Sequence, residues 1–339
     1  MVEYENMKYI DRVYGEFEIT EPVILELIKS APLQRLKDID QAGYRPLWVK
    51  PDADTGEYDH SRFAHSVGVY LLLRKYGVLL EEQIAGLIHD VSHSVFSHCI
   101  DYVLDSGSEK EHNYQDNIFD SYIRKTETPE IIRKYGFDLE YILDDKNFPL
   151  KEKNLPDLCA DRIDYSLRTA VIFDELNEES KKYLLGNLTI KNNNWIFNDF
   201  ESAKRYAELF LKLNTDYYAG LPSAIMFRTV GDCLRYVLQK GYISEEDLYT
   251  TDKLVIEKIE GFLDKDEKLQ LFFDRMNNKI RIINDPNNYD ASVFCKSRVV
   301  DPLFRDGEEL KRVSEVDPSW NNIIKQESEP KQYFLKFDK

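Results

Sequence analysis

The chain has 339 residues, 42% of them hydrophobic, and a formal charge of −17. That length can bury a sizeable core in one large domain or in a main domain with a smaller appendage. The charge speaks against a long nucleic acid as partner, because binding one rests on Lys and Arg neutralising phosphates, and no apolar run approaches the roughly 18 residues a membrane span requires.

Four elements can be read in the first hundred residues. In "EPVILELIKS" Val23, Ile24, Leu27 and Ile28 share a helical face, with Thr20 as the expected N-cap and Pro22 in the first turn. Ser61 to Tyr76 reads as a second helix stopped by Gly77. A third opens at Glu81 or Glu82, buries Ile84, Leu87 and Ile88, and ends around Asp90. Ser94 then offers a cap for "VFSHCIDYVL". From Ser106 to Asn154 the chain turns polar, and only "PEIIRKYG" is expected to be helical. "LPDLCADRIDYSLRTA" restores a helical face through Leu158, Ile163, Leu167 and Ala170, and "LTIKNNNWIFND" predicts a β-hairpin about its asparagines.

Helices return from Phe200 to about Lys240, with a break near "AGLPS". Beyond 245, "KIRIIND", "SVFCKSRVVDPLF" and "KQYFLKF" predict short strands. The expected organisation is a mostly α protein with a helical domain over 1–244, a small β-hairpin within it, and a small C-terminal α+β appendage over 245–339. Cys99, Cys159, Cys233 and Cys295 show no CxxC spacing and the N-terminus no secretion signal, so reduced thiols and a cytoplasmic location are expected.

All six histidines lie between His60 and His112. His65 stands in the second helix, and His89 and Asp90 close the third. Neighbours on a helix point about 100° apart, so these two can share one ion if the helix is ending there. A further carboxylate is expected from "ADRIDYSLR", where Asp161 and Asp164 lie three apart and nearly on one face; the pattern alone does not choose between them. Histidine and carboxylate donors suit one divalent ion such as Mn, Fe, Zn, Ni or Mg.

The blocks "RFAHSVGV", "HDVSHSVFSH" and "ADRIDYSLR", in that order, resemble the HD-domain metal-dependent phosphohydrolases, and most of all their deoxynucleoside triphosphate triphosphohydrolase branch. "PLQRLKDIDQAG" and "KSRVVDPLF" are similar to segments of the same branch. The resemblance implies a helical HD-domain bundle with His65, His89, Asp90 and Asp161 as metal ligands, leaving Asp164 a supporting role. It implies catalytic roles for His93, His98, Asp101 and His112. It also implies substrate contacts from Gln41, Arg62, Arg162 and Tyr165, and from Thr169 at the position that reads the sugar. His60 reads as a supporting residue.

Three positions depart from that branch. Thr169 stands where an aspartate contacts the deoxyribose 3′-hydroxyl. No histidine follows His112, so Tyr217 and Tyr218, with Lys204, Arg205 or Arg228, are the expected substitutes around the triphosphate. Ser92 and Ser94 replace two glycines. The expectation is hydrolysis of a deoxynucleoside triphosphate to deoxynucleoside and triphosphate by a homo-oligomer. A nucleoside monophosphatase or a phosphodiesterase on a small signalling nucleotide is the runner-up, and a non-catalytic nucleotide-binding module the third reading.

Overall fold

The computed structural model describes residues 6–44, 60–104 and 107–338. At its centre runs the helix Arg62–Lys75, buried from Phe63 to Leu73 except at Ala64. A helix enclosed on all sides belongs to a core and not to a surface. Ser61 caps its start by accepting a hydrogen bond from Ala64 N, and Gly77, at φ 70°, turns the chain away from its end. The helices Leu80–Ile88 and Ala160–Ile172 pack against it.

Local expectations fail where tertiary bonds override them. Glu21, not Thr20, occupies the cap position of Pro22–Lys29, and no side chain caps that helix. Ser94 starts no α-helix: Val95 N is taken by Leu248 O and Phe96 N by the buried Asp252 carboxylate, each at 2.8 Å. The backbone then passes through left-handed φ at Phe96 and Ser97, and residues Ser97–Tyr102 form a tight 3₁₀ turn. Ser106, where the polar stretch was read to begin, lies outside the described residues. That stretch holds three helices, Tyr114–Ile123, Thr128–Lys134 and Leu139–Leu143, and sinks Ile123, Ile131, Ile132, Leu139 and Ile142 into the main core.

An unanticipated N-terminal hairpin, Met7–Asp11 with Gly15–Ile19, precedes the first helix. The expected hairpin is present as Leu188–Lys191 and Asn194–Phe197, with Asn192 and Asn193 supplying the positive φ its turn needs. Helix Phe200–Leu213 runs into a π-helical turn, Asn214–Tyr218, before Leu221–Lys240 resumes.

The C-terminal α+β segment is joined to the helical body. Strand Leu303–Asp306 pairs in parallel with Asn194–Phe197 and antiparallel with Glu309–Arg312. Strands Ile282–Asn284 and Ala291–Cys295 flank Lys331–Phe337. One hydrophobic core takes Val299, Val300, Phe304 and Trp320 beside the central helix, and a second unites Phe96, Ile100 and Val230 with Val293 and Leu335. All four cysteines are buried and unbridged. No helix among the described residues is long and apolar enough to cross a membrane.

Candidate active site

Three helix ends converge beneath a cavity of about 640 Å³. His65 lies in the first turn of Arg62–Lys75 and Asp161 in the first turn of Ala160–Ile172. His89 closes Leu80–Ile88, and Asp90 follows in the turn. His65 Nε2 stands 2.9 Å from Asp161 Oδ1 and 3.2 Å from His89 Nε2, and His89 Nε2 stands 3.4 Å from Asp161 Oδ1. Asp90 completes the group, Oδ1 lying 3.4 Å from His89 Nε2 and Oδ2 3.8 Å from His65 Nε2.

The second nitrogen of each ring decides what faces the centre. His65 Nδ1 donates to Asp164 Oδ2 at 2.7 Å and His89 Nδ1 to Gly86 O at 2.7 Å, so in the neutral rings both Nε2 atoms carry lone pairs. Two imidazole lone pairs and two carboxylates therefore point at one another, an arrangement that repels itself unless a cation lies between. Donors bound to one ion at about 2.0–2.1 Å stand roughly 3 Å or a little more apart, close to the 2.9, 3.2 and 3.4 Å separating the His65, His89 and Asp161 atoms. The residues fit a divalent metal.

Without the ion, protons take over its role. Burial opposes charge on His65, but hydrogen bonds to Asp161 and Asp164 raise its pKa to about 9. Burial likewise opposes charge on Asp161, yet the His65 and His89 hydrogen bonds hold it well below the usual carboxylate range. Burial would raise Asp90 too, but the Arg62 guanidinium and the adjacent His89 and His93 keep it low.

Behind these donors stands a rigid support. Asp164 is fully buried and also accepts from Arg168 Nε at 3.0 Å and Nη2 at 2.9 Å; Arg168 Nη2 then reaches Asp11 Oδ2 at 2.9 Å. The N-terminal hairpin thereby braces the His65 ring. Room for the pair comes from Gly68, where a Cβ would lie 2.0 Å from Arg168 Nη2 and 2.1 Å from Asp164 Oδ1. Arg168, Asp11 and Gly68 carried no signal in the sequence beyond the spacing of Asp164 and Arg168 on one helix face.

The catalytic candidates divide by position. His98 and His112 line the cavity, their rings stacked with centroids 5.0 Å apart. His98 Nδ1 donates to Asp101 Oδ2 at 3.2 Å, and Asp101 Oδ1 accepts from Tyr114 N. Tyr102 spends its hydroxyl proton on Phe294 O at 2.6 Å, so the 2.9 Å contact with His112 Nε2 requires that nitrogen to be the donor. His112 Nδ1 then keeps its lone pair, buried and without a partner among the described residues. A φ of 50° and a bond from His112 N to Ser108 O fix the ring there. Burial, then neighbouring positive groups, drives both rings well below the ordinary histidine range: Arg62 foremost for His98, and His98 and Arg298 for His112. His93 and Asp101 do not line the cavity. His93 stands behind Asp90, its Nε2 3.3 Å from Oδ1, with its pKa pushed down to about 4 by burial and Arg62.

Gln41, Arg62, Arg162, Tyr165 and Thr169 all line the cavity. Arg62 is committed to the protein: Nη1 to Asp90 Oδ2 at 2.8 Å, Nη2 to Gln41 O and Nε to Ser97 Oγ. Arg162 Nη1 donates to Lys153 O and Asp157 O. Gln41 Oε1 and Arg162 Nε are buried without partners among the described residues. His60 Nε2 lies 3.2 Å from Thr169 Oγ1. Tyr217 and Tyr218 enter the wall from the π-helical turn, whereas Lys204, Arg205 and Arg228 lie outside it and pair with Asp317, Glu201 and Asp232. The sequence reading of those three cations is therefore corrected: the cavity receives Lys296 and Arg298 from the C-terminal segment instead.

The HD domain family model matches residues 62–169, and the chain belongs to the HD-domain metal-dependent phosphohydrolases. It is 34% identical over 307 residues to the uncharacterized protein YdhJ of Bacillus subtilis, a match spanning 90% of this chain and 91% of that one. It is 32% identical over 246 residues to the metal-dependent phosphohydrolase cns2 of Cordyceps militaris, covering 70% and 68%. A shorter match, 31% identical over 153 residues, links it to the deoxynucleoside triphosphate triphosphohydrolase SAMHD1 of Gallus gallus, covering 38% of this chain and 23% of that one. The fold is shared with a phosphohydrolase from Bacteroides thetaiotaomicron at a TM-score of 0.68 and 16% identity, over 99% of this chain and 100% of the other.

Proposed function

We propose that this phosphohydrolase cleaves a deoxynucleoside triphosphate to the deoxynucleoside and inorganic triphosphate. The observation that carries the reading is the convergence of four acceptor groups, His65, His89, Asp90 and Asp161, at the floor of a cavity whose wall holds two neutral histidines and unpaired cations. The partial likeness to SAMHD1 supports the choice of nucleotide. A divalent ion held by these residues supplies Lewis-acid polarisation of a phosphoryl oxygen and acidifies a water.

The protein supplies position and protons. Arg62 holds Asp90, and Asp164 holds His65, so the donors are set before substrate arrives. His98 and His112 rest neutral; the negative charge of an entering phosphate favours their protonation, after which either can hand a proton to the departing 5′-oxygen. His93 acts by packing against Asp90. Tyr165, Tyr217, Tyr218 and Gln41 surround the space left for sugar and base.

A second reading, a nucleoside monophosphatase, draws on Thr169, which offers the sugar a hydroxyl engaged with His60 in place of a carboxylate. The experiment that separates the two incubates Mn²⁺-loaded protein with each deoxynucleoside triphosphate and with nucleoside monophosphates, using Asp90→Ala as the blank. Inorganic triphosphate among the products supports the first reading. Orthophosphate from a monophosphate, with no release of triphosphate, replaces it with the second. The same proposal has manganese as a working ion and a cytoplasmic homo-oligomer acting on a small nucleotide, with neither a long nucleic acid nor a membrane as partner.

A further inference from the structure

Six basic side chains line the cavity: Arg62, Lys151, Lys153, Arg162, Lys296 and Arg298. Four of them face carboxylates. Arg62 pairs with Asp90 at 2.8 Å and Lys151 with Asp145 at 2.5 Å, while Lys153 stands 3.9 Å from Asp157 and Arg162 3.8 Å from Glu152. Among the described residues Lys296 and Arg298 have no carboxylate within ion-pair distance. In a chain with 62 acidic residues against 45 basic ones, two neighbouring half-buried cations without a direct ion pair, Lys296 sensing Glu111 and Asp116 only from beyond that distance, form a site for an anion.

Their placement is built, not incidental. Both leave the short connection between strands Ala291–Cys295 and Leu303–Asp306. Asn214, fully buried in the π-helical turn, accepts from Arg298 N at 2.8 Å, and its Nδ2 donates to Ser297 Oγ at 3.0 Å and Glu327 Oε2 at 2.9 Å. Lys296 Nζ reaches Glu111 O at 2.6 Å, the carbonyl just before His112. The two charges consequently lie on the side of the cavity occupied by the histidine pair, and both depress the pKa of His98 and His112. Burial, with Arg298 alongside, also pushes the Lys296 ammonium down to about 8 against the opposing pull of Glu111 and Asp116.

We infer that Lys296 and Arg298 are the substrate's polyphosphate-binding residues, gripping its non-bridging oxygens on the His98–His112 side of the cavity. The inference rests on the nucleoside triphosphate reading for its choice of anion. It makes the C-terminal segment a part of the active site. It also assigns a role to "KSRVV" that the sequence blocks around the metal ligands do not contain.

Inorganic triphosphate is the probe, titrated calorimetrically into Mn²⁺-loaded protein at fixed ionic strength. Arg298→Ala and Lys296→Met are each expected to weaken binding at least tenfold. Both should keep the wild-type metal content and melting temperature, and Arg298→Lys should recover part of the loss. Affinity within twofold of wild type in both variants would overturn the assignment, and so would a metal-loaded wild type that binds no triphosphate. Because the probe contains no nucleoside, failure to hydrolyse deoxynucleotides would sink the proposed function without deciding this result.

Discussion

Replacing Gly68 with alanine should strip the metal from a site in which Gly68 takes no direct part. The added Cβ would sit 2.0 Å from Arg168 Nη2 and 2.1 Å from Asp164 Oδ1, so reaching even a tight 3.0 Å contact requires a retreat of about 1 Å. A retreat of that size carries the 2.7 Å bond between Asp164 and His65 Nδ1 out of hydrogen-bonding range. Two magnitudes follow. Losing the carboxylate that orients a metal-binding histidine lowers metal affinity about 10–100-fold. Disrupting the buried Asp164–Arg168–Asp11 pairing costs about 3–5 kcal/mol, against which alanine's better helix propensity returns only about 1 kcal/mol. Destabilisation wins. The assay is a Mn²⁺ titration with melting curves of metal-free and metal-loaded protein, run beside Asp164→Asn, which adds no volume but weakens both the bond to His65 and the Arg168 pairing. Wild-type metal affinity and melting temperature in Gly68→Ala would show that Asp164 and Arg168 do not occupy the space next to the helix, and the argument for the support would fail.

Other predictions concern the ligands, the protons and pH. His65→Ala or Asp90→Ala should abolish tight Mn²⁺ binding, read as metal content after dialysis; full occupancy in both would remove them from the ligand set. His112→Ala should retain its metal but lose about 10²–10⁴-fold in kcat, and undiminished turnover would move proton delivery to His98. In the metal-free protein burial opposes charge on His65, but the Asp161 and Asp164 hydrogen bonds push its pKa up to about 9, and the metal requires the neutral ring. Affinity should therefore climb about tenfold per pH unit across the neutral range and level off near pH 9. The stability of the metal-free fold runs the other way. His65's raised pKa gives a contribution fully present below its ordinary 6.5 and lost as pH rises through about 9. Metal affinity that is flat between pH 6 and 8 would contradict the first half of this pair.

Legibility of the sequence followed how local each determinant is. The central helix was readable because Ser61, Gly77 and an apolar run all lie within the segment itself. The ends of Leu80–Ile88 and Ala160–Ile172 were equally local, and beside them stand His89, Asp90 and Asp161, three of the four candidate metal ligands. Of the three helices between 114 and 143, Thr128–Lys134 was readable in "PEIIRKYG", but the other two were not, because each buries only two side chains: Tyr114 and Ile123 in one, Leu139 and Ile142 in the other. So sparse an apolar stripe looks like a solvated loop. The turn after Ser94 was misread because Asp252, more than 150 residues away, takes the Phe96 amide that a helix would have used. Helical spacing left Asp161 and Asp164 equivalent and only the family resemblance chose Asp161; in the structure Asp161 lies against His65 Nε2 and Asp164 against Nδ1 of the same ring.

Charge distribution reconciles an acidic chain with an anionic substrate. Net charge acts at long range and is screened within about 10 Å at ordinary ionic strength, so what a phosphate meets inside the cavity is set by groups close by. Its approach is met by acids too: Asp116, near Asp90 and Asp161, has its pKa raised to about 6 by burial, with those carboxylates adding to the rise and Lys296 opposing it. In the metal-free protein Arg62 and the protonated His65 offset the Asp90 and Asp161 charges, and a divalent ion that displaces the His65 proton leaves the floor more positive. Lys296 and Arg298 add positive charge on the side of the cavity that holds the stacked His98 and His112 rings. Metal occupancy should thus strengthen phosphate binding electrostatically, and inorganic triphosphate should bind the metal-loaded protein more tightly than the metal-free one.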